Sequence, residues 1–463
     1  MLKTYYRDRD VRARLAEYCG DAPGSGPTAA YVASIDPAAR GPVARWETAQ
    51  LGAPDVLDDM LERGGDVARS LWDREALLFH LDLDYQNTDA PGEPFAYPAE
   101  AFFRLEPVFR AVRREMLRFG LPLFVLMTGR GYHFTGRLRL DHPVVSALAT
   151  LVPGVPRWHA AVASRRPQGV DATLTQAHAR AHAGLGCLVE YFAHRIIRRI
   201  GLASPAPVVV NGTVVGTGLT GRAAASIDVS HLGDPLDVRL IRMAFSGYQM
   251  HRMRPDMVGT RIATDVPALS AVPRVRGVEE ALMSRSPSCA RGIAAVSHAA
   301  LPDVSTGLVR LLDEYRFSRL AAFHRDYLAE CFDLVEAAAP LDLSTVPPCV
   351  SWPLDAPNDR LLQPAFIQQL TRALVAHGWR SAAIARLVYE RYMSDANWGT
   401  HWARRDRWTR ATFDVGVFAG LIHAGVDEGL DLNCVSAQEK GLCPGTGCPF
   451  NLAEIRDRML ARA

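Results

Sequence analysis

Apolar and polar residues repeat with two different periods in the first third of the chain. The run from Leu77 to Tyr85 begins with three apolar residues and then alternates, which predicts a strand. Between Glu100 and Phe119 the apolar residues recur at helical spacing, so we expect a helix there that ends at Gly120. The apolar run from Leu123 to Met127 predicts the next strand. The order strand, helix, strand is that of a βαβ unit.

Helices are predicted for most of the later chain, with a few strands between them. These elements are a long helix at 173–200, a hairpin at 208–215 with Asn211-Gly212 at its turn, and a strand that leads into 226–229. Helical periodicity resumes from 279 to 338. A Pro-rich stretch at 339–353 then predicts the start of another domain.

Composition sets the class of protein. The 463 residues are 48% hydrophobic and 22% charged, which leaves room for roughly two to four domains with cores of their own. The formal net charge of +2 is too small to indicate a nucleic-acid partner by itself. No stretch of about 18 uncharged apolar residues occurs, and the first residues do not form an apolar leader. We therefore expect a cytoplasmic protein without a membrane span.

Positive charge is carried almost entirely by arginine, because lysine occurs only at Lys3 and Lys440. Phosphate groups would therefore be bound by planar, bidentate guanidinium groups. The stretch from Gly212 to Gly221 is rich in glycine but contains no lysine, which excludes a P-loop ATPase.

Three aspartates are candidate metal ligands. Asp82 and Asp84 are two residues apart in a predicted strand, so their side chains share one face and can hold the same divalent cation. Asp228, on a later strand, adds the third carboxylate that a bridged pair of cations needs. A Gly-Arg-Gly turn between them presents Arg130 and His133. Acidic groups for metal and basic groups for phosphate predict two-metal nucleotidyl transfer with Mg²⁺ or Mn²⁺.

Four of the eight cysteines, Cys349, Cys434, Cys443 and Cys448, lie in the last quarter of the chain. Four thiolates are the usual ligands of either tetrahedral zinc or an iron–sulfur cluster. Cys349 precedes Cys434 by 85 residues, which is unlike the paired Cys-x-x-Cys knuckles of a zinc ribbon. The spacing therefore leans away from zinc and toward an iron–sulfur cluster, with Zn²⁺ as the alternative.

The ordered motifs together resemble the archaeo-eukaryotic primase superfamily. That family carries an acidic pair on a strand, a Ser-Gly-Arg-Gly-like turn ending in His, an Ile-Asp strand and an Arg-x-Pro-Gly-Ser segment. The matching positions are Asp82 and Asp84; Thr128, Gly129, Arg130, Gly131 and His133; Ile227 and Asp228; Arg242, Met243, Ala244, Phe245 and Ser246. Tyr5-Tyr6 near the start is also similar to the small primase subunit.

The resemblance implies a role for each matched residue. The three aspartates would bind the catalytic metals, and the nucleotide-binding residues would be Thr128, Arg130, His133, Arg242 and Ser246. Two departures concern nucleotide selection. Ala244 and Phe245 replace the family's Pro-Gly, and no lysine follows Ser246, where His251 or Arg252 is a candidate substitute.

The C-terminal cysteines resemble the C-terminal domain of the large primase subunit, which opens with Pro-Pro-Cys and ends with Cys-Pro-Phe around a four-iron cluster. Here those motifs are Pro347-Pro348-Cys349 and Cys448-Pro449-Phe450. The chain thus looks like a small and a large primase subunit fused into one polypeptide. The implied fold is α+β: a catalytic domain with an RRM-like split βαβ core at 1–275, a helical connector at 276–340, and an α-helical iron–sulfur domain at 341–463.

A basic and aromatic stretch lies between the cysteines. Its candidate contacts to the template or the initiating nucleotide are His401, Arg404, Arg405 and Arg407. The alternative is a solvated basic helix whose tryptophans belong to the core.

The resemblance implies a DNA-dependent primase-polymerase that starts and extends primers. The expected partners are a single-stranded DNA template, nucleoside triphosphates and a helicase or other replication protein, in the nucleoid or at a replicon. Two alternatives stay open: a repair-type polymerase of the same superfamily that only extends existing ends, and a non-catalytic protein that binds nucleic acid or nucleotides.

Overall fold

Two β-sheets face each other in the N-terminal half of the molecule, with an apolar cluster between them. The computed structural model describes residues 2–20, 26–41, 49–165, 170, 173–213, 222–233, 240–275, 277–333, 343–355, 364–394, 406–445 and 447–462. The strands are β1 (Val32–Ile35), β2 (Gln50–Gly52), β3 (Asp66–Ser70), β4 (Ala76–Asn87), β5 (Phe124–Met127), β6 (Gly131–Arg139), β7 (Val208–Val210), β8 (Ala223–Asp228), β9 (Leu240–Arg242), β10 (Gly247–Tyr248), β11 (Leu269–Ser270) and β12 (Val272–Pro273). The larger sheet has the order β12-β5-β6-β4-β8-β7, the smaller one has the order β2-β1-β3-β9, and β10 pairs with β11.

Helices make up most of the rest. They are α1 (Leu2–Tyr5), α2 (Arg9–Tyr18), α3 (Leu57–Arg63), α4 (Glu93–Ala96), α5 (Pro98–Phe119), α6 (Pro143–Ala149), α7 (Trp158–Arg165), α8 (Gln176–Ile200), α9 (Met250–Met253), α10 (Pro255–Val258), α11 (Thr260–Asp265), α12 (Val278–Ser284), α13 (Pro287–Val296), α14 (Ser305–Arg316), α15 (Arg319–Asp333), α16 (Pro348–Asp355), α17 (Pro364–Ala376), α18 (Ser381–Ser394), α19 (Arg407–His423), α20 (Cys434–Glu439) and α21 (Leu452–Arg462). None of the described helices is long and apolar enough to cross a membrane.

The larger sheet contains the predicted split βαβ unit. β4 and β5 each run antiparallel to β6, which lies between them, so β4 and β5 are parallel to each other. Helix α5 connects them. It begins with a proline in its first turn and ends at Gly120, whose φ of 65° is the left-handed conformation of a helix C-cap. The predicted α+β class, strand and helix are confirmed.

β4 separates two environments because successive side chains of a strand point to opposite faces. Leu81 and Leu83 are fully buried in the core beneath α5 and α8. Leu78, on the other face, belongs to the apolar cluster between the two sheets. Asp82 and Asp84 share that second face, so the candidate site lies on the side of the smaller sheet.

The predicted hairpin at 208–215 is found only in its first arm and its turn. Asn211 and Gly212 have φ angles of 56° and 68°, as a two-residue turn requires. β7 pairs in parallel with β8, and residues 214–221 lie outside the described part of the chain.

The C-terminal helices pack against the same core as the larger sheet. Members of this cluster are Leu81 of β4, Leu311 of α14, Leu320 of α15, Phe366 of α17, Phe418 of α19 and Met459 of α21. Apolar packing is therefore continuous across positions 275 and 340, and the division into domains there stays a prediction.

Candidate active site and cysteine cluster

Three neighbouring strands place His133, Asp82 and Asp228 side by side. Asp82 of β4 lies opposite His133 of β6 on one side and opposite Asp228 of β8 on the other. Directly opposed residues have Cβ atoms about 4.5–5.5 Å apart, so the two carboxylates share one small area of the sheet. Asp84 lies on the same face, opposite Gly131. The fold thus brings together the three predicted metal ligands.

The turn between β5 and β6 depends on glycine. A Cβ on Gly131 would lie 1.9 Å from the carbonyl oxygen of Leu83. A Cβ on Gly129 would lie 2.4 Å from the ring of Tyr248, a residue that no sequence motif singled out. The backbone N–H of Thr128 donates to the Gly131 carbonyl at 2.8 Å, and its hydroxyl accepts from the Gly131 N–H at 3.2 Å. The Thr128 side chain therefore shapes the turn itself.

Arg130 leaves this turn and forms an ion pair with Asp84. The Arg130 side chain is 43% exposed, whereas that of Asp84 is 9% exposed. The charge of Asp84 is the largest influence on Arg130 and raises the pKa of its guanidinium. Arg130 thus remains charged and stands at the solvent side of the carboxylates.

His133 is uncharged in this environment. Its Nε2 lies 3.6 Å from Asp82 Oδ1. Burial is the largest cause that lowers the pKa of His133 to about 3, with Arg242 and Arg130 acting in the same direction and Asp228 opposing them. At neutral pH the ring offers one N–H donor and one lone pair. Arg130 therefore supplies the positive charge of this turn.

Arg242 and Ser246 lie deeper, against the smaller sheet. The Arg242 side chain is 5% exposed, pairs with Asp66 at 3.0 Å and lies 4.3 Å from the centre of the Tyr248 ring. The hydroxyl of the fully buried Ser246 accepts from the Val67 N–H at 3.0 Å and donates to a backbone carbonyl. Both side chains join β3 to the segment after β9, and their nucleotide-binding roles stay predictions.

Phe245 stands where the motif that the sequence resembles has glycine, and its φ of 66° is a backbone conformation that glycine favours. The Tyr5 hydroxyl donates to the Phe245 carbonyl at 2.9 Å. The Tyr6 hydroxyl accepts from the Gly247 N–H at 2.6 Å and donates to the Gly65 carbonyl at 3.0 Å. The N-terminal tyrosine pair thus supports the segment that follows Arg242.

Carboxylate oxygens are the ligands that Mg²⁺ and Mn²⁺ prefer, so the donor set fits the predicted metals. Among the residues that the structure describes, however, no group of three or more His, Cys, Asp or Glu side chains is arranged to hold a metal ion. Asp84 pairs with Arg130, and Asp228 Oδ1 accepts from the Ser230 N–H at 2.7 Å. Two of the three carboxylates thus already have a protein partner on one oxygen, and the other oxygen of each is the candidate cation ligand.

Two histidines beside the aspartates were missed by the sequence motifs. The His80 ring is in edge contact with His133 and with His231, at centroid distances of 5.1 and 5.3 Å. His80 precedes Asp82 by two residues, so strand alternation alone would have placed it on the same face. His231 follows β8 in a short 3₁₀ turn, and no periodicity indicates its position.

Three of the four C-terminal cysteines, Cys434, Cys443 and Cys448, are close enough to Cys349 for their charges to act on it. Cys349 is buried in α16, and Cys434 is the first residue of α20. Burial is the main cause that raises the pKa of Cys349 to about 12, and the charges of Cys443, Cys448 and Cys434 add to it. The Phe450 N–H donates to Cys448 Sγ at 3.5 Å. Thiols are the donor set of an iron–sulfur cluster or of zinc, but within the described part of the chain no three His, Cys, Asp or Glu side chains, these cysteines included, are arranged to hold a metal ion, so the cluster stays a prediction.

The predicted template contacts fall largely on residues that are not described. His401, Arg404 and Arg405 lie outside the described ranges, and Arg407 is the half-buried first residue of α19. The neighbouring Trp408 is buried and makes an edge contact with Tyr389 at 5.1 Å. Trp408 is therefore a core residue.

No protein-family description matches the chain, and no curated protein does. Among solved structures, the chain is similar to the polymerase domain of ligase D from Mycobacterium tuberculosis in complex with DNA. The identity is 14%, the match covers 68% of this chain and 88% of that one, and the TM-score is 0.31. A likeness at this TM-score carries no argument about the activity of the present chain.

Proposed function

We propose that this chain is a DNA-dependent primase-polymerase that starts and extends primers on single-stranded DNA. The observation that carries the proposal is the row of His133, Asp82 and Asp228 on three adjacent strands, with Asp84 and Arg130 beside it. Three carboxylates next to a cationic turn are the groups that two-metal nucleotidyl transfer requires. A protein that only binds nucleotides does not need three acids beside a phosphate site.

The carboxylates are the proposed ligands of two Mg²⁺ or Mn²⁺ ions. Such ions, when bound, supply charge stabilisation for the transferred phosphoryl group. In the reaction, the 3′-hydroxyl oxygen of a primer or of a first nucleotide forms a bond to the α-phosphorus, and the bond to pyrophosphate breaks. The hydroxyl proton is lost to solvent. Asp82 is central to this scheme because it neighbours both His133 and Asp228.

Arg130 is the proposed ligand of the triphosphate. A cation bound at Asp84 would replace the positive charge that Arg130 now provides, which releases the guanidinium for bidentate contact with phosphate oxygens. His133, being neutral, would donate its N–H to a phosphate oxygen. Thr128 acts through the shape of the turn, while Arg242 and Ser246 support the site from the smaller sheet.

The C-terminal cysteines support primer initiation as opposed to extension alone. We assign Cys349, Cys434, Cys443 and Cys448 to a [4Fe–4S] cluster, with zinc as the alternative. The adjoining basic stretch would hold the initiating nucleotide on the template until the first bond forms. A repair-type polymerase has no use for such a domain.

A priming assay on unprimed single-stranded DNA tests the proposal directly. Protein purified without oxygen is supplied with Mg²⁺ or Mn²⁺ and with ribonucleotides or deoxynucleotides in separate reactions. Products that start without a primer support a primase-polymerase. Extension of a supplied primer without initiation would favour the repair-type polymerase, and binding without incorporation would favour the non-catalytic alternative.

Near-isosteric variants connect the activity to the site. Asp82→Asn, Asp84→Asn and Asp228→Asn should each lower incorporation by at least about a hundredfold, because each removes charge that faces the metals. Asp141→Asn is the matched control, since Asp141 is exposed and pairs with the nearby Arg139. Full activity in all three site variants would contradict the assignment.

Absorbance decides between the two metal groups. A [4Fe–4S] protein is brown with broad absorbance in the visible range, whereas a zinc protein is colourless. Cys349→Ser should remove the colour, and Cys289→Ser is the control because Cys289 is exposed in α13 and is not one of the four proposed ligands. A colourless protein that contains zinc would replace the cluster by the alternative.

A further inference from the structure

A buried arginine lies directly behind the turn that carries Arg130. Arg285 follows the last residue of α12 and is 3% exposed. Its Nη1 donates to the carbonyl of Thr128 at 3.2 Å and to the carbonyl of Gly129 at 3.1 Å. These are the two residues that immediately precede Arg130, so one guanidinium holds the backbone from which the phosphate ligand extends.

The turn is also held from its other side. The ring of Tyr248 lies so close to Gly129 that a Cβ there would be 2.4 Å from it. Tyr248 in turn contacts the guanidinium of Arg242, at 4.3 Å from the ring centre. Thr128 and Gly129 are therefore held by groups from distant segments. Arg285 contacts their carbonyls, and the Tyr248 ring packs against Gly129.

The environment of Arg285 is unusual for a buried cation. Its guanidinium lies 5.0 Å from the centre of the Phe102 ring, and burial lowers its pKa to about 10. Among the described residues, the groups that act on its pKa are the phenols of Tyr132 and Tyr248, and both are uncharged at neutral pH because burial raises their own pKa. A buried charge is costly unless an opposite charge compensates it. An anion bound on the other side of the turn would provide such compensation.

We propose that Arg285 is a positioning residue for the triphosphate of the incoming nucleotide. It fixes the Thr128 and Gly129 carbonyls so that Arg130 extends toward the phosphates, and its charge adds positive potential behind them. The inference rests on the proposed function, because it takes the triphosphate as the ligand of Arg130. No sequence motif indicates Arg285, which lies more than 150 residues from the turn in the chain.

Arg274 provides a matched control for the test. It is also a buried arginine, with a side chain 5% exposed, and it packs on α5 through Glu106 at 2.8 Å and over the Phe109 ring at 3.7 Å. It also donates to the Tyr132 hydroxyl at 2.6 Å. Arg274→Met should therefore also cost stability, but it leaves the contacts of Arg285 with the Thr128 and Gly129 carbonyls in place, so a change confined to Arg285→Met reports on those two contacts.

The experiment compares Arg285→Met, Arg285→Lys and Arg274→Met in the full chain. Arg285→Met should raise the KM for the nucleoside triphosphate by about tenfold with kcat changed less than about threefold, since it loses two hydrogen bonds and a charge. Arg285→Lys, which keeps the charge and one donor group, should show a smaller rise. Arg274→Met should leave KM near the wild-type value. A KM in Arg285→Met equal to that of Arg274→Met would overturn the inference.

Hydrogen exchange tests whether Arg285 holds the turn, whether or not the protein has the proposed activity. The amides of residues 129–131 should exchange faster in Arg285→Met than in Arg274→Met, with or without nucleotide, because the turn loses its two carbonyl contacts. Equal exchange in the two variants would refute the positioning role even if the enzyme polymerises. Wild-type protein that incorporates no nucleotide, together with faster exchange in Arg285→Met, would refute the proposed function and the triphosphate role, leaving only a structural clamp on the turn.

Discussion

Gly131 and Phe245 both lie at positions where the backbone favours glycine, but only Gly131 is a glycine. Gly131 has no space for a side chain, because β6 approaches the backbone of Leu83 and Asp84 there. Phe245 has the positive φ that glycine accepts easily, yet its large side chain is fully buried between the sheets. At the first position contact distance selects glycine, and at the second apolar packing outweighs backbone preference.

Gly131→Ala should disrupt the site and destabilise the protein. The added Cβ would lie 1.9 Å from the Leu83 carbonyl, so β6 must move away from β4 and carry His133 away from Asp82. We expect a loss of about 1–3 kcal/mol in the free energy of unfolding, as for other overpacked positions, with loss of incorporation. Urea denaturation measures the free energy of unfolding, and the priming assay measures nucleotide incorporation. In Gly292→Ala, an open helical position, stability should be unchanged or higher by up to about 1 kcal/mol.

Phe245→Gly should destabilise the protein although it removes a strained backbone. Relief of a left-handed conformation is worth roughly 1–2 kcal/mol, whereas truncation of a buried phenylalanine costs about 3–5 kcal/mol. The net expectation is a loss of about 1–4 kcal/mol in a urea titration. A variant more stable than the wild type would show that the backbone term dominates at Phe245.

At the scale of elements, the short helix α1 links the smaller sheet to the segment that follows β9. Tyr5 contacts the segment after β9, while Tyr6 connects that segment to Gly65, just before β3. The start of β3 is thereby tied to the segment that carries Ser246 and Tyr248. A four-residue helix has little intrinsic stability, so these buried side chains hold it in place.

Tyr6→Phe tests this link. The change removes one hydroxyl but leaves the Gly65 carbonyl and the Gly247 N–H without their partner, which should lower the free energy of unfolding by about 1–3 kcal/mol. Tyr97→Phe is the control, because Tyr97 is 62% exposed, and its effect should be within about 0.5 kcal/mol. Equal stabilities of the two variants in urea would argue against a supporting role for α1.

At the scale of the whole molecule, buried histidines couple stability to pH. Burial lowers the pKa of His178 and His194 to about 4 and that of His182 to about 3. His324 behaves oppositely: its pKa is raised to about 10 because Cys187 and Glu190 together outweigh the effect of burial. Its Nε2 lies 3.2 Å from Glu190 Oε2, which joins α15 to α8.

The free energy of unfolding should therefore fall on both sides of a maximum near pH 6.5. Below this pH the unfolded chain binds protons that the three folded histidines do not, so each histidine contributes a loss of about 1.4 kcal/mol per pH unit. The stabilisation from protonated His324 is complete below pH 6.5 and is lost as the pH rises toward its folded pKa of about 10. Urea titrations at pH 5, 6.5 and 8 measure the free energy of unfolding on the acid side and on the alkaline side of the maximum. His182→Gln should make the free energy of unfolding less dependent on pH below 6.5, and His324→Gln should do the same above 6.5. A wild-type free energy of unfolding that does not change with pH would contradict the expectation.

Local patterns were sufficient to predict the elements that carry the site. Alternation along β4 placed Asp82 and Asp84 on one face, and helical spacing with a terminal glycine gave α5. The same alternation would have included His80. The positions of His231, Tyr248 and Arg285 could not be predicted, because each reaches the site through contacts with residues far away in the chain.

The sequence by itself determined the order strand, helix, strand, the candidate carboxylates and the Gly-Arg-Gly turn, since strand and helix periods and glycine preferences act over a few residues. Only the tertiary structure decided that Asp82 lies between His133 and Asp228, that His133 is neutral, and that Arg130 pairs with Asp84. Strand register, burial and charge–charge distance are properties of packed surfaces. They arise when segments more than a hundred residues apart meet, and no local pattern encodes them.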